Sequence, residues 1–520
     1  MTKKYPQRLL FVFLALLLCA CPNLNDDTAQ KPGKEQGEGE QPEEGKEQEN
    51  FIETDVGTSE RFWTINLATG QQSQISAVLL AETESCLVYA ECDAKGKPKN
   101  NVDQNTARNV AGNYTKNIYP KMNEAFGEIV HITPKGKVTL LLLDIKDGLN
   151  PETEGFVAGY FDTQDMENGG LSNKRDMLYI DTNPGLLDME GLYSTVAHEL
   201  QHLINYSNRV LGGKGELDLW INEGLSTAAE YIYGGDPANR VALYNLDLGK
   251  TIQFGNNFFV WYGYWEVKYG DSLADYSTAY LFFQWLRIHA SNGIGIYKEI
   301  LNSSYTDFQA VTERVRERIP ALKLKGSKNQ DWETLLRTWM LANAYQSPSG
   351  LYGYQDKIGE MTGGTPAKLE TVYLTKTNGQ KVDFYPGEGI FSQMDVSSYT
   401  PPDGSGPYIR YVGFDTTSTD TIDTGSPSYE GNFLLTFNAN PDNTATYPSG
   451  YVLLPGESGY LASASGALSG RELFGGQRSV RGVPKLPAKP RPVDARSLIE
   501  RRKWENAGQF PAGGTAPFGE

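Results

Sequence analysis

Basic residues are in short supply in this sequence. Its 64 Asp and Glu outnumber 47 Lys and Arg, for a formal net charge of −17 over 520 residues. Phosphate backbones demand basic patches, so nucleic acid is excluded as a partner. Residues 22–50 carry no aromatic residue and are rich in Glu, Gln, Gly and Lys. Such a stretch cannot bury enough apolar surface to fold and reads as a flexible tether. Cysteine is scarce, with four in the chain. Outside the N-terminal segment only Cys86 and Cys92 remain, in C-L-V-Y-A-E-C. In an oxidising compartment such a pair is expected as a local disulfide rather than a metal site, with no catalytic role. Histidine is as scarce, also four, yet two fall within one pentapeptide. No internal repeat is present.

The N-terminus reads as a targeting segment, residues 1–20. Lys3, Lys4 and Arg8 form a positive n-region, and the apolar run Leu9–Leu18 is too short for an ordinary transmembrane span. It ends in Leu18-Cys19-Ala20-Cys21, which resembles a bacterial lipobox. Cleavage would then fall before Cys21, leaving it to carry the lipid; a plain secretory signal is the alternative. Either way the protein is expected outside the cytoplasm, and with the lipid it is anchored to a bacterial membrane.

With 39% hydrophobic residues the rest is expected to fold, in two or three domains. Residues 51–358 read as a catalytic region, strands first and then helices, an α+β order. Arg61–Leu67, Ile75–Leu80, Cys86–Ala90, Phe156–Phe161 and Met177–Ile180 are strand candidates, and the continuous apolar run Val138–Ile145 is expected in the middle of a sheet. Met177–Ile180 is either a sheet edge along which an extended peptide could lie or an internal strand. Asn105–Phe126 has helical apolar spacing, with Pro120 expected to kink it. Helices are also expected at Leu192–Asn208, from Asp218 to Tyr233, at Asp275–Ala290, Phe308–Ile319 and Trp332–Tyr345. Residues 359–458 hold short strands between Gly, Pro, Thr and Asn turns, the pattern of a small all-β, sandwich-like domain. Residues 459–520 are Gly-, Pro- and Arg-rich and are expected to be a disordered basic tail.

The chemistry concentrates in T-V-A-H-E-L-Q-H, Thr195–His202. His198 and His202 stand one helical turn apart and project from one face, where both imidazoles can bind one metal ion. Glu199 between them can take a proton from an activated water. A catalytic zinc takes three protein ligands and keeps one position open. W-I-N-E-G-L-S-T-A-A-E, Trp220–Glu230, offers the third. Glu223 and Glu230 lie on nearly the same helical face, and spacing alone leaves both open. Calcium is left open as a second cofactor, with no spacing that resembles a defined Ca²⁺ loop.

H-E-L-Q-H followed by W-I-N-E-G-L-S resembles the gluzincin metallopeptidases, and in particular the hyicolysin family, with its A-H-E-x-Q-H, W-L-N-E-G-L-S and nearby A-E. Ala197–His202, Trp220–Ser226 and Ala229-Glu230 carry the likeness, which runs from about Cys86 to Ala290. The resemblance implies a thermolysin-like catalytic fold with a mixed sheet and active-site helices. It implies His198, His202 and Glu223 as zinc ligands, Glu199 as general base, and a protein or peptide substrate. A tyrosine downstream of N-E-G supplies the oxyanion donor in aminopeptidase-type members; here that is Tyr276, for which core packing is the alternative. The sequence departs from the thermolysin-like pattern at Thr227, where an Asp that orients one histidine is usual. Support must then come from Thr227, Glu230 or a backbone carbonyl. His131 and His289 read as structural. The sequence thus points to a zinc endopeptidase acting on extracytoplasmic proteins. The competing class is a surface-binding lipoprotein, such as an adhesin, with a vestigial or structural metal site. An aminopeptidase is disfavoured because no G-x-M-E-N-type element is present.

Overall fold

The computed structural model describes residues 12–15, 51–148, 156–183, 189–235, 240–241, 244, 259 and 273–358, and short pieces between 369 and 462. Its organising element is a seven-stranded sheet. The strands are β1 (Val12–Ala15), β2 (Ser59–Asn66), β3 (Gln71–Glu82), β4 (Cys86–Glu91), β5 (Val138–Leu143), β6 (Gly159–Asp162) and β7 (Met177–Asp181), in the order β1-β6-β7-β5-β4-β3-β2. β5 is parallel to both β4 and β7, and the other pairings are antiparallel. Every residue of β5 is buried, as expected of a strand covered on both faces. Alternation splits its side chains between two cores. Leu140 and Leu142 join the large cluster under the helices. Leu141 and Leu143 join a second cluster with Tyr89, Tyr160, Tyr179 and Tyr276. β7 lies between β5 and β6 and is therefore internal, not the edge. On that side β1, from the segment read as a leader, pairs with β6 and is the outermost of the described strands.

Cys86 and Cys92 are both free and buried, so the expected disulfide is absent. The reason is the strand itself. Cys86 opens β4 and Cys92 follows its last residue, a separation of ~20 Å in extended chain, far beyond the reach of one S–S bond.

The helix expected at Asn105–Phe126 is broken by a π turn. α1 (Gln104–Asn113) passes through Tyr114–Ile118 into α2 (Tyr119–Phe126), whose first turn contains Pro120. Pro has no N–H to donate and its ring crowds the preceding turn; the wider turn absorbs both. Downstream come α3 (Met189–Arg209), α4 (Leu219–Tyr233), α5 (Leu273–His289), α6 (Gly295–Leu301), α7 (Phe308–Arg318) and α8 (Lys328–Tyr345). α6 was not expected from sequence. Gly224 allows α4 and α5 to meet: a Cβ there would sit 2.2 Å from the Phe283 ring.

The C-terminal strands are β8 (Val372–Leu374), β9 (Gln380–Phe384), β10 (Gly389–Gln393), β11 (Ile409–Phe414), β12 (Phe433–Asn438), β13 (Gly450–Leu454) and β14 (Tyr460–Ala462). They form a five-stranded sheet, β11-β12-β10-β8-β14, and the pair β13-β9. β14 falls within the stretch expected to be a disordered tail. Phe391, Val412, Phe414, Leu435 and Phe437 belong to the same apolar cluster as the helices, and the Phe414 and Tyr345 rings lie 5.6 Å apart. The β-rich part therefore shares a core with the helical part. Among the described residues, no helix is long and apolar enough to cross a membrane. Cys21 and the tether lie outside the described residues.

Candidate metal centre

α3 supplies the first half of the site. Leu192, Val196, Leu200, Leu203 and Ile204 bury its apolar stripe, and that packing turns His198, Glu199 and His202 into the interior, all at 0–1% exposure. α4 supplies the second half, placing Glu223 against both rings. Its Oε2 lies 3.4 Å from His198 Nε2 and 3.5 Å from His202 Nε2. These three donors fall within 4.8 Å of one another, and among the described residues they are the group so assembled.

Two features show that the donor set fits a zinc ion. Ligands arranged tetrahedrally at about 2.0–2.1 Å from zinc are about 3.3–3.4 Å apart, close to the separations observed. Second, His198 Nε2 and Glu223 Oε2 are buried without a hydrogen bond, a costly arrangement unless something else meets them.

The far side of each ring explains why Nε2 is the atom offered. His198 Nδ1 lies 2.7 Å from Glu230 Oε1. His202 Nδ1 lies 3.2 Å from Asn222 Oδ1 and 3.0 Å from Ser226 Oγ. Glu230 Oε1 and Asn222 Oδ1 are acceptors, so in the neutral form of each ring Nδ1 carries the proton and Nε2 turns its lone pair to the centre. Asn222 is itself held by Asn205 Nδ2, and Ser226 by Gln201 and the Asn222 carbonyl. Glu230 thus sits behind His198 rather than beside Glu223. Thr227, by contrast, donates to the Gly224 carbonyl of its own helix at 3.0 Å. It does not replace the missing carboxylate; Glu230 does. Asn222 and Ser226 were missed in the sequence although they flank Glu223 in N-E-G-L-S and stand one helical turn (i, i+4) from each other.

Charge follows the same geometry. Burial pulls the His198 pKa down, but the Glu223 and Glu230 carboxylates beside the ring outweigh it and raise it to about 9. Burial keeps His202 below its usual value. Burial pushes Glu223 up, yet the two histidines bring it to about 2. The pocket is built to hold positive charge beside a carboxylate.

Tyr276, on α5, is buried with its ring 6.3 Å from that of His198. Arg240 joins from beyond α4, bonding Glu230 through Nε at 3.1 Å and Nη2 at 2.6 Å. His131 is a clip on a loop, its Nδ1 3.0 Å from Asp176, and His289 bonds the Gly353 carbonyl. Both are remote from the centre in their partners, as expected.

No family model matches the sequence. Over 308 residues the chain is 28% identical to the neutral metalloprotease ShpI of Staphylococcus hyicus, a stretch covering 57% of this chain and 65% of that protein. The chain therefore spans just under two thirds of the length of the curated relative it matches. The similarity is to a metallopeptidase.

Proposed function

We propose that the protein is a zinc-dependent endopeptidase of the gluzincin type, resembling the hyicolysins, anchored outside the cytoplasm to a bacterial membrane by a lipid on Cys21, at the cell surface or the periplasmic face, and acting on extracytoplasmic proteins. The observation that supports it best is the buried convergence of His198, His202 and Glu223 with Glu199 on the same helix. The likeness to a protein named as a neutral metalloprotease adds to it.

His198, His202 and Glu223 would hold the ion. When bound, zinc supplies Lewis acidity, polarising the scissile carbonyl and acidifying water. Glu199 takes the proton of the attacking water and returns it to the leaving amine. Tyr276 donates a hydrogen bond to the developing oxyanion, a role worth on the order of 10²–10³ in kcat for one such donor. Glu230, Asn222 and Ser226 hold the two imidazoles in the Nδ1–H tautomer throughout.

The test is a pair of variants assayed on casein with zinc content measured alongside. Glu199→Gln is expected to keep its zinc and lose cleavage by on the order of 10³-fold or more. Glu223→Ala is expected to lose the metal. Casein cleavage by Glu199→Gln at the wild-type rate would sink the reading. Full zinc retention in Glu223→Ala would move the third ligand elsewhere.

A further inference from the structure

α4 ends in two glycines, Gly234 and Gly235. Gly234 caps the helix at φ +122°, and Gly235 donates to the Glu230 carbonyl at 3.0 Å. A Cβ on Gly235 would lie 2.6 Å from that carbonyl oxygen and 2.8 Å from the Tyr233 ring, so the position needs glycine. Arg240 lies against the last turn of that helix, beside Glu230.

There Arg240 is 5% exposed and Glu230 7%. The guanidinium meets the carboxylate as a fork, Nε on Oε2 at 3.1 Å and Nη2 on Oε1 at 2.6 Å. Oε1 is the same atom that accepts from His198 Nδ1 at 2.7 Å. One oxygen is thus shared between the candidate ligand and the arginine, while the other is held by the arginine. The Arg240 guanidinium carbon also stands 5.7 Å from the Tyr276 ring centroid.

We propose that Arg240 is a positioning residue of the metal centre: through Glu230 it fixes the orientation of His198, and through its face it fixes the ring of Tyr276. The inference rests on the zinc-peptidase reading above. A carboxylate bonded to a single imidazole can rotate about its own χ angles and carry the ring with it. A planar two-point clamp removes that freedom, and the shared oxygen passes the constraint to the imidazole. Lysine would keep the charge that balances buried Glu230 but not the fork, since an ammonium is a point charge without fixed donor directions. The arrangement also ties the proposed ligand His198 on α3 to the proposed oxyanion donor Tyr276 on α5, with Glu230 on α4 between them.

The experiment compares wild type, Arg240→Lys, Arg240→Ala, Glu230→Ala and the double variant Glu230→Ala/Arg240→Lys as full chains. Zinc dissociation constants come from competition with a chromophoric chelator, and casein kinetics are run at saturating zinc. Arg240→Lys is expected to weaken zinc binding about 10-fold or more. Its kcat is expected to fall with KM within about twofold of wild type, since the substrate's ground-state contacts are untouched. The double variant is expected to bind zinc no more weakly than Glu230→Ala, because Arg240 acts through Glu230. Co²⁺ substituted for zinc should show altered visible absorption in Arg240→Lys, which a purely structural arginine would leave unchanged. Should Arg240→Ala fail to fold, Arg240→Lys carries the test. Wild-type zinc affinity, kcat and cobalt spectrum in Arg240→Lys would overturn the inference while leaving the peptidase reading intact. A wild-type chain that binds no zinc at His198, His202 and Glu223 would remove both.

Discussion

At the scale of single residues, the centre depends on acceptors as much as on ligands. His202 reaches Asn222 Oδ1 and Ser226 Oγ through Nδ1, and Asn222 is 4% exposed. Asn222→Ala removes one acceptor and leaves the Asn205 amide without the oxygen it donates to. Zinc affinity is expected to weaken about 10-fold, read by chelator competition, with a loss of stability of about 1–3 kcal/mol read by urea melts. A zinc constant equal to wild type would show that Ser226 alone holds the ring. His198, Glu199 and His202 were readable in the sequence because the motif and its helical spacing put them together, and Glu223 only through the resemblance of its N-E-G segment. Asn222 and Arg240 were not, because each acts on a partner that only the tertiary structure brings near.

At the scale of elements, the decisive contact is the crossing of α4 and α5 at Gly224. Gly224→Ala drives a Cβ into the Phe283 ring, which lies 2.2 Å from its ideal position, and α5 carries Tyr276. Overpacking of this kind costs about 1–3 kcal/mol, and α5 must shift to relieve it. Thermal melts are expected to show that loss, with casein cleavage reduced more than zinc binding, because the ligands lie on α3 and α4. Cleavage unaffected in a destabilised protein would separate α5 from the chemistry. The glycine of N-E-G thus has a packing reason of its own, beside the chemistry of its neighbour. Strand and helix boundaries around the site were legible from periodicity and apolar runs. The cysteine pair was misread because a sequence spacing of six says nothing about whether the chain between is folded back or extended.

At the scale of the whole molecule, the sheet carries a pH-sensitive pair. Asp162 and Asp165 are buried, and burial first, with their proximity adding for Asp162, raises both above the ordinary carboxylate range. The folded state therefore binds protons that the unfolded chain releases near pH 4. The sign follows: the contribution of this pair to stability is fully present below about pH 4 and is lost as pH rises toward the folded-state values, about 8 for Asp162 and about 6 for Asp165. Asp162→Asn keeps an acceptor for the Gln164 amide and removes the charge. Between pH 5 and 8 its melting temperature is expected to decline less than that of wild type. Parallel curves for the two proteins would place the proton elsewhere. The shared core between Tyr345 and Phe414 likewise belongs to this scale; composition marked a change of texture after residue 358 but could not say that the two parts pack together.

The sequence by itself determined what is local: the polarity of the tether, the alternation and length of the strands, and a helix that must face His198, Glu199 and His202 one way. These follow from periods of 2.0 and 3.6 residues, which act within one segment. Spacing left Glu223 and Glu230 open, the resemblance pointed to Glu223, and only the tertiary structure shows the different places of the two carboxylates. Both occupy one face of α4, and their parts were set by where α3 crosses it: Glu223 meets the two Nε2 atoms, and Glu230 meets Nδ1 behind them. That choice depends on distances between segments far apart in the chain, and no spacing within either segment contains it.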